Sequence, residues 1–409
     1  MVNHFELRVS EPELIAAISP LMLPDSQENP TEYFAAIAWS LICEPGDAFA
    51  GLLISSFGAA KALVLELVKT SPAQYLELLT QQDSSIAESF RSFEKVARDA
   101  RERWTPRMNL NHVLEACEDM GRRGGWFATG DYFGWPASLV DLENHAPRGL
   151  WGIGKSAALA GLAEAIAFVG SRICTEYGQN VCVELIEPLV ERGFSIVSGG
   201  AYGIDAAAHR ATIAVGGVTI ALMAGGLDKF YPSGNSALFD SIRNNGALLS
   251  EMPPGAEPTK WRFLQRNRLI AALGAATVVV EANPRSGAVS TANRALELSR
   301  PVGAVPGPIG SSASDGCHQL IRAEKAKLIT CAQDILELVT PANLPVDDSA
   351  SGLGPLETRV YDVIGFRGAD LAKICTQGGL TKSEAEIGLA SLSLLGFIEL
   401  DSRGWRRLR

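Results

Sequence analysis

Between Ala165 and Val339 the chain alternates two patterns with a regular beat. Short, almost unbroken apolar runs are each followed by a longer stretch with apolar residues every three or four positions. AIAFVGS, FSIVSGG, VTIALMAGG, ALLSEM, ATVVVEA, PVGAVPG and AKLIT read as strands. TEYGQNVCVELIEPLVERG, IDAAAHRATIAVGG, NSALFDSIRNNG, KWRFLQRNRLIAALG, AVSTANRALELSR, GCHQLIRAEK and AQDILELV read as the helices that follow them. Strands apolar on both faces and joined by helices predict a doubly wound α/β fold with a mainly parallel sheet.

Outside this region the beat is lost. Residues 30–120 show helical spacing in NPTEYFAAIAWSLI, GLLISSFGAAKALVLELV and NLNHVLEACEDMGRRGG, and SSFGAAKAL looks like one arm of a helix–turn–helix hairpin. TPANLPVDDSASGLGP, at 340–355, has linker composition. Beyond it LETRVYDVIG, GADLAKICTQGG and TKSEAEIGLASLSLLG predict three helices, and FIELDSRGWRRLR a hairpin, the order of a winged helix. The expected organisation is a helical domain over 1–125, the sheet domain over 126–340, a linker over 341–352 and the last module over 353–409.

The apolar fraction of 47% suits a large core, and no apolar run is long enough to span a membrane. The seven cysteines are scattered without a C-x-x-C pair, and MVNHFELRVSEPELI has no export pattern; together these predict reduced thiols in a cytoplasmic protein. A net charge of −10 argues against a polyanionic partner until its distribution is considered. Residues 1–100 hold fourteen acidic and six basic side chains, whereas 257–300 hold seven basic ones (Lys260, Arg262, Arg266, Arg268, Arg285, Arg294, Arg300) against three acidic. Screening keeps distant charge weak, so a local basic cluster in an acidic chain can still hold a polyanion.

Much familiar chemistry has no support. The five histidines are far apart, with no H-E-x-x-H and no Cys/His cluster, so no metal and no cofactor is expected. No G-x-S-x-G elbow appears, and no catalytic residue is assigned. GLWGIGKS, from Gly149 to Ser156, matches the P-loop pattern, but DLENHAPR before it makes a poor buried strand; Lys155 and Ser156 are expected to start a loop or surface helix. Asp205 and His209 are four apart, as an acid–base pair or a plain helical contact would be. Glu251 and Glu281 fall at strand carboxyl ends, as general bases or as residues that orient loops.

What remains is a set of turns suited to phosphates. SGGAYGIDAAAHR follows a strand and opens a helix, with glycines that let the backbone approach an anion. Gly170-Ser171-Arg172 ends one strand, Ser198-Gly199-Gly200 the next, and Ser286-Gly287 opens the helix after ATVVVEA. Arg266 and Arg268 lie in QRNRLIAAL, with Lys260, Trp261 and Phe263 just before them; the two aromatics are candidates for base stacking or for plain core packing.

In order and spacing, VGSRICTEYG, IVSGGAYGIDAAAHRA, GGLDKFYPSGN, LLSEMPPG, RNRLIAALG, VVVEANPRSGAVSTANRALELSRPVGAVPG and LIRAEKAKLIT resemble the DNA-processing protein A family (DprA, also called Smf) over about residues 30–409. The resemblance implies an extended Rossmann fold that binds single-stranded DNA as a homodimer and helps load the RecA recombinase in natural transformation, without established enzymatic activity. It implies flanking sterile-alpha-motif-like (SAM-like) and winged-helix domains. It places DNA contacts at Arg172, at Ser198 to Gly200 and at Arg266, Asn267 and Arg268. Two departures bear on the DNA path: Cys317 and His318 stand where a small hydroxyl residue and Asn are commoner, and Tyr202 where Arg is frequent. The rival readings are a nucleotide-binding hydrolase of the phosphoribohydrolase kind, whose P-G-G-x-G-T turn this chain lacks, and an ATPase using Lys155. In the last module TKSEAEIGLASLSLLG has one basic residue, Lys382, opposed by Glu384 and Glu386, so it is expected to contact protein or phosphate rather than read duplex bases.

Overall fold

The computed structural model describes residues 7, 9–24, 26–82, 92–339, 353–364, 369–401 and 404–407. They belong to two compact units, Met1–Thr340 and Pro341–Arg409. The expected linker at 341–352 lies outside the described residues.

The first unit begins with helices α1 (Glu11–Ile18), α2 (Pro30–Ile42), α3 (Ala48–Phe57), α4 (Ala59–Leu67), α5 (Pro72–Gln82), α6 (Phe93–Trp104) and α7 (Leu110–Arg122). Ser10, Asn29, Asp47 and Asn109 cap α1, α2, α3 and α7 by accepting first-turn N–H bonds. No single helix among the described residues is long and apolar enough to cross a membrane; α3 and α4 reach that composition only together, bent by 113°. Trp39, Phe49 and Trp104 pack at the centre of these helices, with Trp39 edge-on to Trp104 at 5.1 Å. The core does not stop at residue 125: the same buried cluster continues into Phe127, Trp151, Met223 and Leu248 of the sheet.

Nine strands follow: β1 (Gly125–Ala128), β2 (Leu150–Gly154), β3 (Ala165–Val169), β4 (Ser195–Ser198), β5 (Thr219–Met223), β6 (Ala247–Ser250), β7 (Ala276–Val279), β8 (Val302–Ala304) and β9 (Lys327–Leu328). Between them run α8 (Glu176–Glu191), α9 (Ile204–Ala214), α10 (Ser236–Asn245), α11 (Lys260–Leu273), α12 (Gly287–Glu297) and α13 (Asp315–Arg322), and α14 (Ala332–Val339) closes the unit. The order is β1-β2-β6-β5-β4-β3-β7-β8-β9, parallel except for the β1–β2 and β2–β6 pairs. Every residue of β3 to β8 is buried, which is why those segments read as unbroken apolar runs. The chain lays β3, β4, β5 and β6 in one direction, then returns to the other side of β3 with β7, β8 and β9. An open sheet has its ligand crevice where that reversal occurs, here at the carboxyl ends of β3 and β7.

The P-loop lookalike is resolved by β2. Leu150–Gly154 is an extended strand, with Trp151 opposite Phe127 on one side and Ser250 on the other. Lys155 donates its N–H to the Gly246 carbonyl, and a 3-10 stretch starts at Ser156. A P-loop needs those residues as an open loop around phosphates. A sheet-bonded strand cannot provide it.

The second unit holds α15 (Pro355–Val363), α16 (Leu371–Gly378), α17 (Lys382–Leu394) and an antiparallel hairpin, β10 (Ile398–Asp401) with β11 (Gly404–Arg407). Val360, Ile364, Ile374, Leu389, Leu392 and Ile398 form its core. Glu384 is spent on the α17 cap, accepting from the Thr381 N–H at 2.7 Å, and Lys382 pairs with Glu386 at 3.8 Å.

Candidate nucleic-acid interface

At the reversal point lies a cleft of about 730 Å³. The loop after β3 supplies Gly170, Ser171, Arg172 and Ile173; the loop after β7 supplies Asn283, Arg285, Ser286 and Gly287; α11 supplies Lys260, Phe263, Leu264, Arg266 and Asn267. The two loops are tied together, since the Ser171 N–H donates to the Glu281 carbonyl at 2.7 Å. Ser286 caps α12 by accepting from the Val289 N–H, and the first turn of that helix, Gly287 and Ala288, lines the cleft with its positive dipole end.

Pairing decides which cations are available. Of the seven basic residues in 257–300, Arg262 is held by Glu44 at 2.7 Å, Arg268 by both oxygens of Glu251 at 2.8 Å, Arg294 by Glu297 at 2.6 Å and Arg300 by Asp141 at 2.7 Å. The other three, Lys260, Arg266 and Arg285, all line the cleft, where Arg172 joins them from the β3 loop. Arg172, Lys260 and Arg285 are exposed and make no ion pair among the described residues. Asp205, which is buried, is the one carboxylate among the lining residues. The Phe263 ring has two guanidiniums near it, Arg172 at 5.3 Å and Arg266 at 5.8 Å, with Tyr231 at 5.7 Å.

The Gly-rich segment contributes Ala201 and Asp205 to the lining of the cleft. Ser198, Gly199 and Gly200 are not among the residues that line the cleft, and the Ser198 hydroxyl and the Gly199 and Gly200 carbonyls have partners inside the protein. The Ser198 hydroxyl donates to the Phe168 carbonyl at 2.6 Å, and the Gly200 carbonyl accepts from Asn235 at 3.0 Å. The Gly199 carbonyl accepts from Arg266 at 2.7 Å, and that guanidinium lies so close that a Cβ on Gly199 would sit 2.4 Å from Nη1. The anion at the start of α9 is Asp205 itself, which accepts from the Ala201 N–H at 3.3 Å and faces the Gly170 N–H. Burial pushes the Asp205 carboxyl up, and Arg266 pulls it back. Burial in turn lowers the Arg266 guanidinium to about 10, still a cation at neutral pH. The turn, Asp205 and Arg266 form a brace in the wall of the cleft.

Arg268 is also absent from the cleft; it is buried and faces Glu251 instead. Glu281 is tied up structurally, accepting from the Thr175 N–H at 3.0 Å and the Thr175 hydroxyl at 2.5 Å. Of the two aromatic candidates Phe263 lines the cleft, whereas Trp261 is 55% exposed elsewhere on α11. Tyr202 is half exposed outside the cleft, Cys317 is buried, and His318 contacts the Gly307 carbonyl at 3.0 Å. Among the described residues no group of His, Cys, Asp and Glu is placed to hold a metal. Among the polar lining residues, Asn283, Arg285 and Thr291 escaped the sequence reading as site members. Arg285 directly precedes the Ser286-Gly287 turn, which was signal enough to find it.

Asp205 and His209 take different partners. The Thr219 hydroxyl donates to the Ile196 carbonyl, so His209 Nδ1–H donates to that hydroxyl at 2.7 Å. His209 is fully buried, and burial lowers its pKa to about 3. The unfolded chain therefore takes up a proton below about pH 6.5 that the folded chain refuses. Stability is expected to be full above that pH and to fall by about 2 kcal/mol by pH 5. Urea unfolding at pH 8 and pH 5 checks this: His209→Gln should remove most of the difference, and an equal pH dependence in that variant would refute it.

Comparison with known proteins agrees with this architecture. The profile of the family described as DNA recombination-mediator protein A matches residues 127–340. The putative DNA processing protein DprA of Mycobacterium tuberculosis (strain ATCC 25618 / H37Rv) is 41% identical over 320 residues, which span 74% of this chain and 82% of that protein. Protein Smf of Escherichia coli (strain K12) is 33% identical over 344 residues, 79% of this chain and 84% of that one. The X-ray structure of DNA processing protein A from Streptococcus pneumoniae superposes with a TM-score of 0.57 at 32% identity, covering 75% of this chain and 97% of that one.

Proposed function

The chain belongs to the DNA recombination-mediator protein A family, and on that premise we propose that it binds single-stranded DNA in the cleft between β3 and β7. The observation that carries the reading is the convergence of three exposed cations without ion pairs, Arg172, Lys260 and Arg285, on one cleft that Phe263 also lines, with Arg172 over its ring. Cations spaced around an aromatic floor suit one strand, whose phosphates they neutralise while a base stacks on the ring. A duplex offers its bases only through grooves, whereas a cleft takes up the unpaired bases of a single strand.

As a recombination mediator the protein holds the strand for delivery to the RecA recombinase; in a transformable host that strand is incoming DNA. It acts in the cytoplasm as a homodimer. Residues 1–125 serve as a SAM-like helical module and 353–409 as a winged helix. The latter contacts protein or phosphate; the exposed Ile387 and Leu394 of α17 support the protein contact. No catalytic step is assigned: that reading is supported by the sheet pairing of β2, where a P-loop would be an open loop, and by the hydrogen bonds that Glu281 accepts from Thr175.

The test is fluorescence anisotropy with an oligo(dT) and a duplex of equal length. The single strand is expected to bind at least about tenfold tighter, with log K falling against log[salt] at a slope of about −2 if three phosphates are neutralised. Equal affinity for duplex, or no binding at low salt, would overturn the proposal.

A further inference from the structure

The cleft does not end at α12. A second hollow of about 460 Å³ opens from it and shares Leu264, Arg285, Ser286 and Gly287 with it. Beyond that junction the hollow follows Ser290, Asn293, Arg294 and Glu297. These positions repeat at three and four residues, so they form a single face of α12. The face is about 15 Å long, room for roughly two to four nucleotides.

Its chemistry changes along its length. Leu264, 47% exposed, provides apolar surface beside the junction, and Arg285 stands there exposed and unpaired. Ser290 and Asn293 then offer hydrogen-bonding groups without charge, suited to base edges or sugars. At the far end Arg294 pairs with Glu297 at 2.6 Å, but both side chains are about half exposed, at 47% and 59%. A pair so open to water is held weakly and exchanges readily for a phosphate. Arg268 differs, because its pair with Glu251 is buried and closed to exchange.

We infer that a single strand leaving the cleft continues along this face of α12, passing Arg285, Ser290 and Asn293, with Arg294 taking a phosphate in place of Glu297. The inference rests on the reading of the main cleft as a single-strand site. It adds a second subsite, which only a strand longer than the cleft can reach.

The experiment compares a short oligo(dT) that fills the cleft alone with one several nucleotides longer, binding to wild type and to single variants at fixed salt. Glu297→Gln frees Arg294 and is expected to tighten the long oligonucleotide about two- to fivefold. Asn293→Glu places a carboxylate on the path and is expected to weaken it about tenfold. Both variants should bind the short oligonucleotide as wild type does. A gain in Glu297→Gln confined to the long strand cannot come from a damaged fold. If each variant changes both lengths alike, or neither, the second subsite does not exist. Arg172→Ala separates the two readings: it should weaken both lengths, and if it weakens neither, the main cleft is not the binding site.

Discussion

Replacing Arg266 by Ala is expected to lower stability by about 3–5 kcal/mol, the range seen when one partner of a buried charge arrangement is removed. Its Nη1 bridges the carbonyls of Gly199 and Leu222, at 2.7 and 2.5 Å, and so joins the ends of β4 and β5. Without it both carbonyls lose a donor and the buried Asp205 carboxylate loses the cation that offsets its burial. Lys is not an adequate substitute, since a compact ammonium cannot lie flat against Gly199 as the guanidinium does. Asp205→Asn added to Arg266→Ala should recover part of the loss, because the uncompensated charge is then gone. Urea unfolding of the two variants beside wild type is the measurement. Unfolding of Arg266→Ala at the wild-type midpoint would mean that Arg266 is not the brace described above. The expectation differs from a simple DNA-contact role, in which the fold would be untouched.

The largest effect on binding is expected from removing the exposed cations together. In Arg172→Ala/Lys260→Ala/Arg285→Ala each lost charge-assisted contact should cost about 1–1.5 kcal/mol. The sum is about 3–4.5 kcal/mol, a loss of roughly a hundredfold to a thousandfold in affinity. The salt slope should flatten by about 2, since three fewer counterions are released. Stability should stay within about 0.5 kcal/mol of wild type, because none of the three has an ion-pair partner to lose. Anisotropy titrations at two salt concentrations, with a melting curve as control, decide it. Binding within threefold of wild type would place the strand elsewhere.

The strands from β3 to β8 were legible because burial on both faces leaves a strand no choice but continuous apolar sequence. β1 and β2 were not: Gly125-Trp-Phe-Ala and Leu-Trp-Gly-Ile-Gly are short and broken by glycine, and as antiparallel strands they lack the helix that announces each parallel one. The turns that could carry a site were legible too, since a strand ending in Gly or Ser before a helix is a local pattern. The sequence by itself therefore determined the doubly wound sheet and narrowed the site to a few turns and one basic helix.

Which of those groups face outward was decided only by contacts between distant segments. Gly199 meets Arg266 across 67 residues, and Arg262 meets Glu44 across 218. Arg266 and Arg268 are two apart on α11, yet one lines the cleft wall and the other is closed against Glu251. A formal charge belongs to a residue and can be counted along the chain. Whether that charge is free to meet a phosphate depends on the partner the fold places beside it. In this protein the partners of Arg262, Arg268 and Arg300 all come from other parts of the chain, and that pairing leaves Arg172, Lys260 and Arg285 for a ligand.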